Sequence, residues 1–227
     1  MAITLVQAAV NASGTSGGPY TTSYGSAVTV GSLGIAGISL VDDTNAPLSF
    51  IDDQSQTWTL LVSGAANGLV ERPHIYAKAN SLSGVIDTTL SLSATANAIR
   101  TLLEFAGAET SLAGAVVSPS ATGSGSTPSV TLTSVPANSV IVAYAVSSNV
   151  LAAPSGYSVG RSTQTNWFEE FSYILDSGTA GSKTINFGGS NGTWTVAAAA
   201  IPIAGGGGGG GGIANRAGVL ARLRINS

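Results

Sequence analysis

The feature that most constrains this chain is its rhythm of short strand-like runs. "AVTVGSLGIAGISLV" (27–41), "QTWTLLV" (56–62), "HIYAKA", "DTTLSLSA", "AIRTLLEFAGA", "SVTLTSV", "SVIVAYAVS", "FEEFSYIL", "KTINF" and "TWTVAAAAIPI" follow one another, each bounded by Gly, Pro, Asn or Ser. They are rich in Thr, Val, Ile and aromatic residues, the composition that suits a pleated, half-buried surface. In "QTWTLLV" the period of two puts Trp58, Leu60 and Val62 on one face. No segment of helical length carries apolar residues at i, i+3, i+4 and i+7 with caps. The nearest, "TANAIRTLLEFAGA", reads as a strand. Parallel sheets need a crossover helix between strands. The expectation is therefore an all-β, antiparallel, jelly-roll-like β-sandwich of about a dozen strands.

Charge sets the second constraint. Only 8% of the 227 residues are charged while 44% are hydrophobic, against about 25% charged in an ordinary soluble domain. The core has ample material, and the surface must be built from Ser, Thr, Asn and Gly. Such a surface suits a component of an assembly or an extracellular particle. There is no cysteine, which excludes disulfides, thiolate metal sites and a Cys nucleophile. "MAITLVQAAVNASG" has neither the basic n-region nor the apolar run of a signal peptide, and no run approaches the ~20 apolar residues of a spanning helix. The expectation is synthesis in a host cytoplasm and no membrane span.

The charges are unevenly placed. Before Gly205 lie all eleven acidic residues and five basic ones, a net −6; after it Arg216, Arg222 and Arg224 add +3. Between the two stand eight consecutive glycines, Gly205 to Gly212. This divides the chain into a β-sandwich body (1–204, with 1–30 as an N-terminal strand or extension), a polyglycine tether (205–212) and a basic amphipathic tail (213–227). "SPSATGSGSTPS" (118–129) reads as a long connection inside one sandwich rather than a linker between two.

Several segments, in order, resemble a jelly-roll module that recurs in bacteriophage virion proteins and bacterial surface proteins. They are "DQSQTW" (53–58), "IYAKAN" (75–80), "LEFAGA" (103–108), "TPSVTLTSVPANSVIVAYA" (127–145) and "TWTVAAAAI" (193–201). The likeness covers about residues 30 to 204. It implies a sandwich fold and a virion or surface setting, of capsid decoration or fibre type, and no particular chemistry.

Signatures of catalysis are sparse. His74 is the one histidine, so a Ser-His-Asp triad would have to use it, and no Gly-x-Ser-x-Gly elbow accompanies it. There is no histidine cluster for zinc or iron. The acidic doublets are Asp42-Asp43, Asp52-Asp53 and Glu169-Glu170. Neighbours in a strand point to opposite faces, so no doublet is itself the carboxylate pair a glycosidase needs. Asp42, Asp43, Asp52 and Asp53 read as solvated turns, with one loop-bound calcium as the functional alternative. Of Glu169 and Glu170, one should face solvent and the other a polar rim or a subunit partner. Trp58 and Trp194 read as core. Trp167 and Tyr157 are the candidates for a ligand or receptor contact. The net acidic body, lacking a basic stripe, is not expected to bind nucleic acid.

The tail carries the remaining signal. The tether has an r.m.s. reach of about 15 Å as a coil. In "IANRAGVLARLRINS", Val219, Leu220 and Leu223 fall near helical spacing, while strand alternation puts Val219, Ala221 and Leu223 on one face and Arg222 and Arg224 on the other. A peptide this short orders on docking rather than alone. Its docking residues are taken as Arg216, Val219, Leu220, Arg222, Leu223 and Arg224. The expected function is a non-enzymatic virion protein, a capsid decoration or a head or tail fibre component. It would be a homo-oligomer held by its tail to another virion protein, without cofactor. The alternative is a carbohydrate-binding, adhesive module that recognises a host-surface glycan.

Overall fold

The computed structural model describes residues 2–14, 19–41, 47–66, 71–79, 81, 84–92, 97–108, 111–125, 127–165, 167–189 and 192–204. Among them are strands and turns but no helix, so none long and apolar enough to cross a membrane. The first eight strands are β1 (Thr4–Gly14), β2 (Tyr20–Ser23), β3 (Leu33–Val41), β4 (Pro47–Asp52), β5 (Thr59–Ser63), β6 (Arg72–Lys78), β7 (Asp87–Leu92) and β8 (Asn97–Ala106). The rest are β9 (Val116–Val117), β10 (Ala121–Ser124), β11 (Ser129–Val135), β12 (Val140–Ser147), β13 (Leu151–Ala152), β14 (Ser158–Thr165), β15 (Trp167–Ile174), β16 (Gly181–Asn186), β17 (Gly188–Gly189) and β18 (Thr193–Ile201). Every strand pair is antiparallel. The all-β, antiparallel sandwich class read from the sequence is the one observed.

The strands close into two sandwiches in series. In the first, a sheet ordered β1-β8-β3-β6-β5 faces a sheet ordered β2-β7-β4. In the second, β10-β18-β12-β15-β14, with β9 also on β18, faces the β11-β16 and β13-β17 ladders. With β16 and β17, which only Phe187 separates, counted as one strand, numbering the second set from β10 reproduces the order of the first, so one topology occurs twice. Segment 118–129, read as a connection inside a single sandwich, instead contributes the edge strand β10, and the chain passes between sandwiches over 107–115. β1 and β2, placed in a possible N-terminal extension, are integral to the first sandwich.

Three buried clusters order four layers. Phe50, Trp58, Leu90, Ile38 and Leu102 fill the first sandwich. Leu132, Ile185, Phe187, Val196 and Ala198 fill the second. The third cluster lies between the five-strand sheet of the first sandwich and the six-strand sheet of the second, where Ile35, Ile75, Leu103 and Phe105 meet Val142, Tyr144, Phe171, Tyr173 and Ala197. The inner sheets are thus covered on both faces, and a strand buried on both faces must be apolar throughout. β12 (VIVAYAVS) is buried at every position, and so is β18 from Trp194 to Ile201.

Both tryptophans read as core are buried, and each ring lies over a glycine. A Cβ on Gly34 would come 2.5 Å from Trp58, and one on Gly123 would come 2.4 Å from Trp194. The alternation expected of "QTWTLLV" does not hold. Trp58 points into the first core, Leu60 is exposed, and Leu61 and Val62 both pack toward the second sandwich. The cause is a bulge between Leu60 and Val62 in the β5–β6 register, which resets the face presented by every later residue.

Candidate functional site

The polar groups that the fold brings together lie at the junction of the two sandwiches. β15 places Phe171 and Tyr173 on the junction face, and the period of two puts Glu169 there with them. Its carboxylate accepts a hydrogen bond from the Tyr144 hydroxyl of β12 and one at 2.8 Å from Arg161 Nε of β14. The Arg161–Glu169 pair is the one ion pair among the described residues. Glu71, at the start of β6, faces the same charge from the first sandwich. It is 6% exposed, and neither carboxylate oxygen has a hydrogen-bond partner. Burial, and then the nearby Glu169 charge, push its pKa from 4.5 to about 8. At neutral pH Glu71 is therefore protonated while Arg161 balances Glu169. The Tyr144 hydroxyl is held well above its ordinary range by burial and by Glu169.

Glu170 points the opposite way, into the second sandwich, and is also buried. Burial raises its pKa, while hydrogen bonds from Ser162 and Ser172 oppose the rise. The expectation that one member of this doublet faces solvent is corrected: the inner sheet has no solvent face here, so both carboxylates are interior.

His74 lies on the other face of β6, inside the first sandwich. Its Nδ1 is 2.8 Å from Ser63 Oγ, and its Nε2 has no partner. Burial, and then the charge on Arg72, lower its pKa to about 4. A serine beside a histidine is the start of a nucleophile–base pair. A triad, however, needs a carboxylate on the other imidazole nitrogen, and none is there. A base with so low a pKa also accepts a proton weakly at neutral pH. Arg100 is buried too, with its guanidinium 5.0 Å from the Tyr20 ring centre and its Nε and Nη1 without hydrogen-bond partners.

The residues singled out from the sequence fall elsewhere. Asp52 Oδ1 accepts from the backbone N–H of Gln54 at 3.1 Å and of Gln56 at 2.9 Å, closing a turn in which Ser55 has φ 60°. Asp53 Oδ2 accepts from the backbone N–H of Ile86 and Asp87. Both carboxylates thus hold loops together. No group of three or more His, Asp or Glu able to hold a metal gathers among the described residues. Tyr157 packs half-buried against the second core, and burial raises its pKa to about 12. Asp42, Asp43, the Trp167 side chain, the tether from Gly205 to Gly212 and the docking residues Arg216, Val219, Leu220, Arg222, Leu223 and Arg224 lie outside the described residues.

Sequence reasoning missed Glu71, Arg161 and Tyr144. The available signal was Glu169 itself: an acid in a strand flanked by aromatics needs a cation and a donor brought from other strands. Chemically, the junction holds one ionised and one neutral carboxyl, the pairing an acid–base mechanism uses. Tyr144 and Glu169 are completely buried, so the pair is a sealed polar seam with no opening for a substrate. Two of the hollows on the described surface can be placed. One, of about 380 Å³, is lined by Ala2, Ile3, Asn138, Leu175, Asp176 and Ile203, and the other, of about 280 Å³, includes Thr57, Lys78 and Ser111. Neither gathers groups suited to catalysis. No family model, curated protein or solved structure matches the chain.

Proposed function

We propose that this chain is a non-enzymatic structural protein of a bacteriophage virion, a capsid decoration or fibre component, fixed to its assembly by residues 213–227. The observation that carries the reading is the division of charge across the glycine tether, net −6 before it and +3 after it. It is joined by the place where the body ends: Ala204 N–H donates to Gly107 O at 2.9 Å, at the rim of the junction beside Ala2. A tethered basic arm leaving a closed, weakly charged body is the layout of an anchored display protein. The resemblance to jelly-roll virion modules supports the same setting. So does the strand order, since 1-8-3-6 facing 2-7-4 is the order of an eight-strand jelly roll with its fifth strand moved beside the sixth. The buried carboxyls and the isolated Ser63–His74 pair give no support to a hydrolase.

The test is deletion of residues 205–227. The truncated protein should keep the β-sheet circular dichroism of the full chain and be missing from purified particles, while the full chain is present in copies countable against the major capsid protein. Truncated protein at full occupancy on particles overturns the anchoring role. Absence of the full chain from particles overturns the virion setting.

A further inference from the structure

The junction between the sandwiches differs at its two ends. Register tells them apart: Leu33 pairs with Phe105 at one end of the first inner sheet, and Val140 pairs with Ile201 at one end of the second. There Ile3, Leu33, Phe105 and Ala108 pack in one cluster with Val140, Tyr173 and Ile201, and the Phe105 and Tyr173 ring centres are 5.6 Å apart. The chain also crosses between the sandwiches at this end. Ala108 bridges to Ile203, and Ala204 N–H donates to Gly107 O at 2.9 Å. Apolar contact and the covalent link therefore coincide.

The far end is polar. Ser39, in register with Pro73, shares a face of β3 with Ile35, and Thr101 shares a face of β8 with Leu103. In the opposing sheet Thr195 and Glu169 flank Val146. The sandwiches meet closely there: a Cβ on Gly64 would come 2.7 Å from Pro73 and 2.8 Å from Thr195 Oγ1. Ser39 Oγ, Thr101 Oγ1, Thr195 Oγ1 and both Glu71 carboxylate oxygens are buried without a hydrogen-bond partner. Each gives up water on closure and gains no bond, so this end is held shut against a penalty.

From this asymmetry we propose that the junction is a hinge held shut by the proton on Glu71: as pH rises the sandwiches part at the Glu71 end, stay joined at the Ala108–Ile203 end, and each keeps its fold. Each has a core of its own, with Phe50, Trp58 and Leu90 in one and Leu132, Ile185 and Phe187 in the other, so the seam can be wetted without unfolding either. The charged and titratable groups that face Glu71 across the junction are Glu169 of β15, Arg161 of β14 and Tyr144 of β12. From β18 and β3 come the uncharged Thr195 and Ser39 hydroxyls, β5 ends beside uncharged Gly64, and Arg72 and His74 lie on the other face of β6. Arg161 is bonded to Glu169, and burial keeps the proton on Tyr144. An ionised Glu71 therefore leaves one cation facing two carboxylates, and water entering the seam relieves the excess charge. Closed, Glu71 titrates at about 8; wetted, it returns to its ordinary 4.5. Opening releases a proton between these values, so the open-to-closed ratio climbs with pH from 4.5 to about 8 and levels off above. From pH 6 to pH 9 it grows about a hundredfold.

The chain has no cysteine, so one introduced thiol reports on one place. Ser39→Cys and Thr195→Cys each put a small thiol in the mouth of the hinge, on opposite sandwiches, so the result does not hang on either variant alone. Ala36→Cys and Ala198→Cys put one in the core of each sandwich. Labelling of the full chain with an aromatic disulfide reagent, each rate divided by that of a free thiol at the same pH, measures opening. The mouth thiols should react about a hundredfold faster at pH 9 than at pH 6 on this scale. The core thiols should stay protected, and adding Glu71→Gln should abolish the rise. Mouth rates that do not change with pH, core thiols that react as fast as those in the mouth, or a rise that survives Glu71→Gln overturns the inference.

Discussion

Replacing Glu71 by Gln should stabilise the protein, and the gain should depend on pH in a way set by one carboxyl group. In the folded chain Glu71 titrates at about 8, against 4.5 when unhindered. A carboxyl whose pKa is raised by folding binds its proton more tightly in the native state. Its burden on stability is therefore absent below the unfolded pKa, grows as pH rises, and is complete above the folded pKa. A shift of about 3.5 units corresponds to about 5 kcal/mol at most, at 1.36 kcal/mol per unit. By the same relation the burden is about 1 kcal/mol at pH 5 and about 3 kcal/mol at pH 7. Gln has the shape of the neutral acid and no charge, so the variant escapes this burden. Urea unfolding of wild type and Glu71→Gln at pH 5, 7 and 9 measures the difference directly. A difference that widens from about 1 kcal/mol toward 5 kcal/mol is expected. A difference constant with pH would show that Glu71 is ionised and solvated at neutral pH, and the sealed seam would be refuted.

Other outcomes follow from the same seam and its surroundings. Arg161→Met leaves Glu169 buried with the Tyr144 hydroxyl as its remaining partner and should cost about 3–5 kcal/mol, whereas Arg161→Met with Glu169→Gln should recover much of it; equal losses in the single and double variants would refute the pairing. His74 titrates at about 4 in the fold, below its ordinary 6.5, so it should withdraw stability as pH falls from about 6.5 to 4; His74→Asn should flatten that limb of the acid-unfolding curve. Gly34→Ala places a methyl 2.5 Å from the Trp58 ring and should cost about 1–3 kcal/mol with a change in tryptophan fluorescence; an unshifted urea midpoint would argue against that contact.

Particular strands show what the sequence disclosed and what it withheld. The strands themselves are local features, and runs such as SVTLTSV and SVIVAYAVS were legible from composition and flanking turn residues. The number of layers was also written in the sequence, though less plainly. In a two-layer sandwich a strand has one covered face and alternates. VIVAYAVS and TWTVAAAAI carry apolar or small residues on both faces, which requires a further layer, and their presence in one chain points to two sandwiches back to back. Trp58, Leu60 and Val62 misled because one inserted residue at a bulge reverses the face, and nothing in TLLV announces it. The seam was illegible for another reason. Glu71 and Glu169 are nearly a hundred positions apart, and they meet only because the two sandwiches stack on these faces. No spacing rule reaches across a junction made by packing.

The strand that ends the body has a mechanical consequence. β18 lies inside its sheet, between β10 and β12, and pairs with β12 along eight consecutive positions, from Trp194 to Ile201. β18 ends at Ile201, and a pull on the tail directed along it would reach it once the contacts of Ile203 with Ala108 and of Ala204 with Gly107 part. Antiparallel ladder bonds run across the strands, so this load strains many of them at once, in shear, instead of peeling them one by one. An anchor spliced to an edge strand would unzip. Here a pull on the tail would be shared by an inner strand with its neighbours on both sides.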